Sequence, residues 1–187
     1  RTVNLNSLEQ RRNFKFSIQP SEAVILGIPV YEERIPNLLY PVLCKMKGQG
    51  QPMILVVTYG NIRAGIALKQ LNTMMHYQGF KIIAAASFIG EHAFSQALTK
   101  IASGRPDNRD LEKAELFGKQ ICLKIESIKK IENIPELNVK GNLLTMSKLL
   151  PKRSEILFAY APFIDLHLCQ QCRKCVEACP VNAIDPD

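Results

Sequence analysis

No stretch of the chain approaches the roughly 20 consecutive apolar residues that cross a bilayer. The longest candidate, Ile82 to Ile89, is short and interrupted by Ser87. That excludes a membrane-inserted helix and predicts a soluble protein. No signal peptide opens the sequence. Lys and Arg exceed Asp and Glu by 24 to 17, a net charge of +7, yet no basic stripe with interleaved aromatics is present. From Asp107 to Glu132 the basic residues alternate with acids as they do on a solvated helix face, which argues against nucleic acid and reads the excess charge as solubility. No side chain stands out as a general base, so an electron carrier or oxidoreductase component is expected rather than a stand-alone catalyst. The 187 residues, 47% hydrophobic and 22% charged, suffice for one good globular core.

What is present is concentrated near the end of the chain. Cys169, Cys172, Cys175 and Cys179 stand as Cys-x2-Cys-x2-Cys-x3-Cys with Pro180 closing the run, the spacing that holds 4Fe-4S clusters in bacterial ferredoxins. A tight loop with a thiolate at every third residue can wrap three corners of one cluster while its backbone N–H groups face the sulfides. Structural zinc favours two separated Cys-x2-Cys pairs, and a disulfide set is the other bland reading. In two-cluster ferredoxins the last cysteine of such a run serves the other cluster, whose remaining ligands come from a second copy of the motif. No second copy follows before Asp187, so the domain reads as half of a ferredoxin. Cys44 and Cys122 lie among apolar residues on expected helices and read as buried free thiols of a reduced, cytoplasmic compartment.

Upstream, short apolar runs alternate with helical patterns. Ala23 to Ile28 reads as a strand, about Asn37 to Lys47 as a helix with Pro41 in its early turns, and Met53 to Val57 as a buried strand. A helix with Ala64, Ala67, Leu68, Leu71 and Met75 on its core face follows, ended by Gly79, before an apolar strand from Lys81 to Phe88. A last helix, from about Asp107 to Ile131, aligns Leu111, Ala114, Phe117, Ile121, Ile125 and Ile128, with Asp107 or Asp110 as its cap. Continuous apolar strands alternating with helices argue for a doubly wound parallel α/β sheet. In such sheets ligands sit beyond the carboxyl ends of the strands where strand order reverses. The loops after Ile28 and after Thr58 are therefore the candidate site. Pro29, Val30 and Tyr31 on the first and Tyr59, Gly60 and Asn61 on the second offer aromatic faces and backbone donors suited to a planar heterocycle such as a flavin.

Gly27-Ile28-Pro29-Val30-Tyr31 with Arg34-Ile35-Pro36, Tyr59-Gly60-Asn61, Ala86-Ser87-Phe88-Ile89-Gly90-Glu91-His92 with Phe94-Ser95, Gly104-Arg105-Pro106-Asp107 and the cysteine run together carry a resemblance. The chain resembles a family, common in anaerobic microbes, in which a flavodoxin-like domain precedes a bacterial-type ferredoxin domain. The resemblance covers nearly the whole chain. It implies an FMN-like site whose second and third loops are those of Tyr31 and Tyr59, exchanging electrons with C-terminal clusters. Flavodoxin-like domains begin with a strand and a Ser/Thr/Gly-rich loop that cradles the flavin phosphate at a helix N-terminus. This sequence has no such loop, and Arg1 to Asn6 reads as the second strand of that fold. The first strand and its helix would then lie upstream, and FMN would belong to the intact protein rather than to these residues alone.

His92, at an expected helix start after Gly90, is read as structural rather than as a flavin contact. His76 and His167 carry no partner pattern, and Met74 with Met75 reads as helix packing. The expected organisation is a flavodoxin-like domain over 1–135 without its first strand, a linking or docking segment over 136–163, and the first half of an α+β ferredoxin-like domain over 164–187. Leu143 to Leu150 and Ile156 to Tyr160 supply the apolar stretches of the linking segment. In the intact protein the flavin would handle electron pairs and each cluster single electrons. Cys169, Cys172 and Cys175 would hold one cluster, Cys179 would serve a second, and the partners would be redox donors or acceptors. The competing readings are a non-catalytic iron–sulfur sensor or interaction protein whose α/β domain binds a partner, and a flavin reductase, for which no nicotinamide pocket is visible.

Overall fold

The computed structural model describes residues 2–128, 137, 139, 164–179, 183 and 184. The expected linking segment lies outside them apart from 137 and 139. The chain divides into two compact units, Phe16–Lys152 and a second made of Arg1–Lys15 with Arg153–Asp187.

The first unit is built on three parallel strands, β1 (Val24–Pro29), β2 (Pro52–Tyr59) and β3 (Lys81–Ile89), in the order β1-β2-β3. Parallel neighbours need a crossover. A 3₁₀ turn (Asn37–Leu39) running into the short helix α2 (Tyr40–Leu43) supplies the first, and α3 (Ala67–Tyr77) the second. The helix expected over Asn37 to Lys47 is therefore two short turns, and Pro41 sits at the start of α2 where a missing N–H costs nothing. After β3 the chain enters α4 (Asn108–Ser127), shorter than the Asp107 to Ile131 of the sequence pattern.

Register sorts the strand residues onto two faces. Leu26 and Ile28 share a face with Met53, Leu55 and Val57, all fully or nearly fully buried, while α3 buries Ala67, Leu71 and Met75 against β2 and β3. Ile25, Gly27 and Pro29 share the opposite face with Ile54, Val56 and Thr58 and, on β3, Ala84, Ala86 and Phe88. There α4 docks, Ile121 packing against Ile54 and Ile83 with Val56, Ala84, Phe117 and Ile128 around them. Phe88 meets Phe117 edge to face at 5.8 Å. Helices thus lie on both faces of a parallel sheet, as the continuous apolar strands required.

Coverage of the second face is incomplete. Ile25 is 69% exposed on β1, and on α4 Leu111 is 56% exposed while Ile121 is 7% exposed. The stripe inferred for α4 is thus a core contact at Ile121, Phe117 and Ile128 rather than along its length. Strand order also departs from expectation: among the described residues it never reverses, so no switch point lies between the loops after β1 and β2.

Helix ends follow their sequence signals. Gly79, at φ +90°, stands just past the α3 C-cap, with Gly79 N–H donating to His76 O at 2.9 Å and Phe80 N–H to Met75 O at 3.1 Å. That pair of bonds is the Schellman arrangement, which needs a left-handed residue at this place. A Cβ on Gly79 would also lie 2.3 Å from Gly48 O. At the start of α4, Asp107 accepts from Asp110 N–H and Asp110 from Asp107 N–H, each at 3.0 Å, a reciprocal cap. β2 and β3 slip register between Met53 and Ile54, which leaves Ile83 as an extra residue; Lys124 of α4 donates to Ile83 O at 2.6 Å.

In the second unit, residues 2–6 form no strand, contrary to the reading of Arg1 to Asn6 as a second strand. A short helix α1 (Leu8–Arg12) follows, capped by Ser7, and the buried Arg11 guanidinium donates to Leu5 O and Asn6 O at 2.7 Å each. Those two bonds close a tight turn, which explains why an alternating polar–apolar segment does not extend. The described cysteine region carries one short helix, α5 (Lys174–Ala178). No helix among the described residues is long and apolar enough to cross a membrane.

Candidate functional site

The cysteine run is built from turns. Leu168 and Cys169 both donate their N–H to Asp165 O, at 3.1 and 2.9 Å, and Asp165 Oδ1 accepts from His167 N–H at 2.9 Å. This knot delivers Cys169 at its exit. Gln171 and Arg173 then take left-handed φ values of +50° and +58° on either side of Cys172. Left-handed residues interleaved in this way curl the backbone so that successive N–H groups face one side. Cys175 stands in the first turn of α5 and Cys179 is its C-cap. Ala183 N–H donates to Cys179 Sγ at 3.2 Å, the kind of backbone bond to sulfur that tunes a cluster ligand.

The donor chemistry suits an iron–sulfur cluster. Cys169, Cys172 and Cys175 are exposed, Cys179 is half-buried, and none of the four is disulfide-bonded. Among the described residues no three His, Cys, Asp or Glu side chains converge as they do around a single ion. A cubane asks for a different arrangement, one thiolate at each iron corner. Cys44 and Cys122 are free as well, but both are exposed, which corrects their reading as buried thiols. Cys44 caps the end of α2, and Cys122 follows Ile121 on α4 and so turns away from the sheet that Ile121 meets.

A second cluster of features lies at the carboxyl ends of the strands in the α/β unit. Val30 N–H donates to Thr58 O at 2.8 Å and Gly90 N–H to Tyr59 O at 2.9 Å. The loops after β1, β2 and β3 are thereby laced together, with the Tyr59-Gly60-Asn61 loop in the middle. Tyr31 and Arg34 exchange backbone bonds of 3.1 and 2.9 Å around Glu32 and Glu33, whose φ values are +48° and +64°. Two consecutive left-handed residues define a turn that normally employs Asn and Gly. Ile66 N–H anchors it by donating to Glu33 O at 2.9 Å, and Gly65 leaves room for Glu33 to pack. Tyr31 projects into solvent, 58% exposed. Of the residues singled out in sequence, the structure brings Pro29, Val30 and the Tyr59 loop side by side, with Tyr31 at their outer edge.

Sequence reasoning overlooked the polar lattice beneath these loops. Arg105 donates through both Nε and Nη2 to the Asp110 carboxylate, and its Nε lies 3.5 Å from Asp107 Oδ2. That guanidinium draws Asp110 down from 3.8 to about 2, and the same pairing raises Arg105. Glu91 accepts from Gly104 N–H at 3.1 Å, a bond that lowers its pKa. These contacts fold the 90–106 loop back onto the end of β3. The signal was the Asp107-x2-Asp110 cap with an arginine just upstream, which only the fold joins to Tyr59. His92 does not open a helix; the residues after it form turns.

Two comparisons with known proteins bear on these sites. No curated protein matches the chain. The 4Fe-4S binding domain family, Fer4, matches residues 162–185, a span that contains all four cysteines of the run and leaves the α/β unit outside it. The C-terminal segment of this chain is thus similar to 4Fe-4S binding domains of ferredoxin type.

Proposed function

We propose that the protein transfers electrons between redox partners through a 4Fe-4S cluster, coupled in the intact protein to a flavin of FMN type on the α/β unit. The observation that carries this reading is the match of the 4Fe-4S binding domain to residues 162–185, around four cysteines at Cys-x2-Cys-x2-Cys-x3-Cys spacing. Cys169, Cys172 and Cys175 would each hold an iron of one cluster. Cys179 would serve a second, the role that the last cysteine of such a run plays in two-cluster ferredoxins. The left-handed residues around Cys172 supply N–H groups for the sulfides, and the Ala183 N–H at Cys179 Sγ would lower the charge density on that sulfur.

The flavin part of the proposal rests on the laced loops. Tyr31 and Tyr59 would cover the ring, and the backbone of Pro29, Val30, Gly60 and Asn61 would meet its polar edge. When bound, a flavin exchanges one or two electrons, whereas a cubane cluster exchanges one at a time. These loops supply aromatic and backbone groups for a ring, whereas the sequence offers no Ser/Thr/Gly-rich cradle for its phosphate. No catalytic base is assigned.

Electron paramagnetic resonance of the anaerobically purified chain, before and after dithionite, tests the cluster. A signal that appears on reduction, at an intensity matching the iron content, is expected. A chain that binds iron yet gives no reducible signal would sink the electron-transfer reading.

A further inference from the structure

His92 is held against the middle of the three laced loops. A Cβ added to Gly60 would lie 2.3 Å from His92 Cδ2 and 2.6 Å from its Cγ, so the imidazole rests on the bare backbone of the Tyr59-Gly60-Asn61 turn. Two backbone bonds fix the residue: His92 N–H donates to Ile101 O at 3.1 Å, and His92 O accepts from Ser95 N–H at 2.8 Å. A third fixes the ring, since Phe94 N–H donates to His92 Nδ1 at 3.0 Å. A neutral imidazole that accepts at Nδ1 carries its proton on Nε2. The Phe94 ring lies 5.1 Å away from the imidazole at a 43° tilt.

The glycine beneath His92 and the amide at its Nδ1 together hold the ring in one orientation and one tautomer. We propose that His92 is a ligand-binding residue of the α/β unit, presenting Nε2–H as a fixed donor to a ring heteroatom of a planar ligand seated beside it against Tyr59 and Asn61. The inference rests on the reading that this end of the sheet receives a flavin-type ring, and it assigns to the β3 loop a recognition role that the sequence had left to packing. Gly60 is then required to admit the imidazole.

Riboflavin, which carries the ring without a phosphate, is the probe. Its affinity for the full chain is measured by equilibrium dialysis for the wild type, His92→Phe and His92→Gln. The phenylalanine keeps a flat ring on Gly60 and removes the donor, whereas glutamine restores one. The expected result is binding weakened about 3- to 10-fold in H92F, the usual worth of one hydrogen bond, with most of the loss recovered in H92Q. Equal affinity in all three proteins would overturn the role of His92 and leave the ring site standing. Equal weakening in both variants, accompanied by a lower melting temperature, would return His92 to a structural role. No binding of riboflavin by the wild type would overturn the ring site and this inference with it.

Discussion

Replacing Ile121 by alanine removes the side chain through which α4 is seated on the sheet. Ile121 is 7% exposed and packs against Ile54 and Ile83, with Val56, Ala84, Phe117 and Ile128 around that contact. Truncating a buried isoleucine to alanine costs roughly 2–5 kcal/mol, depending on how far the surroundings collapse. Here Ile54 belongs to the central strand and Ile83 to a strand tied to it along its length, so the sheet side of the cavity cannot close. The helix side can, because α4 has partners on one face only. The lower half of the range applies, about 2–3 kcal/mol, or a fall of roughly 6–10 °C in melting temperature for a unit of this size. Leu111 on the same helix is 56% exposed, so Leu111→Ala should stay within about 0.5 kcal/mol. Urea unfolding of the full chain followed by far-ultraviolet circular dichroism under anaerobic conditions gives both values. A Leu111→Ala loss equal to or larger than that of Ile121→Ala would refute this seating and restore the full-length apolar stripe that the sequence pattern suggested.

Other consequences are equally direct. Serine at Cys169, Cys172 or Cys175 should abolish most of the bound iron and sulfide, whereas Cys44→Ser and Cys122→Ser should leave both unchanged, as metal analysis would read. In the folded protein Cys44 and Cys122 should react with a thiol reagent without a lag, since both are exposed; a slow, unfolding-limited reaction would restore their reading as core thiols. Gly79→Ala should destabilise the α/β unit by about 1–2 kcal/mol for a φ of +90° alone, with the clash against Gly48 O adding to it, and a neutral result in a urea melt would contradict the turn geometry. Asp110 is held down from 3.8 to about 2 chiefly by its hydrogen bonds from Arg105. A carboxyl depressed in the folded state stabilises above its unfolded value, and that stability fades as pH falls through the folded one. The stability gap between wild type and Asp110→Asn should therefore narrow as pH drops from 3.8 to about 2, and a gap independent of pH across that window would refute the ion pair.

The strands of the α/β unit were legible because a buried parallel strand is an uninterrupted apolar run. Met53 to Val57 and Ile82 to Ala86 can be nothing polar, and Gly79 and Asp107 marked helix ends through backbone rules that act locally. The failures have a common physical source, since they depend on which neighbour arrives in three dimensions. The periodicity of α4 placed Leu111 and Ile121 on one side of the helix, but only the sheet decides which turns are covered. Cys44 and Cys122 sit among apolar neighbours in sequence, and each nevertheless falls at a helix position turned outward. Arg1 to Asn6 has the alternation of a strand, yet Arg11 gathers the carbonyls of Leu5 and Asn6 into a turn instead. The cysteine run was legible as a segment of 4Fe-4S binding type, since that similarity rests on spacing alone. The contact of His92 with Gly60 and the pairing of Arg105 with Asp110 were not, because each depends on the chain turning back after β3.

The most direct measurement is the visible absorption spectrum of the chain purified without oxygen, taken together with its iron and acid-labile sulfide content. The expected result is a broad sulfide-to-iron charge-transfer band, bleached on reduction, with iron and sulfide in equal amounts, and lost when Cys172 is replaced by serine. A colourless chain that binds zinc through the same cysteines would contradict the central claim and return the C-terminal segment to a structural metal site.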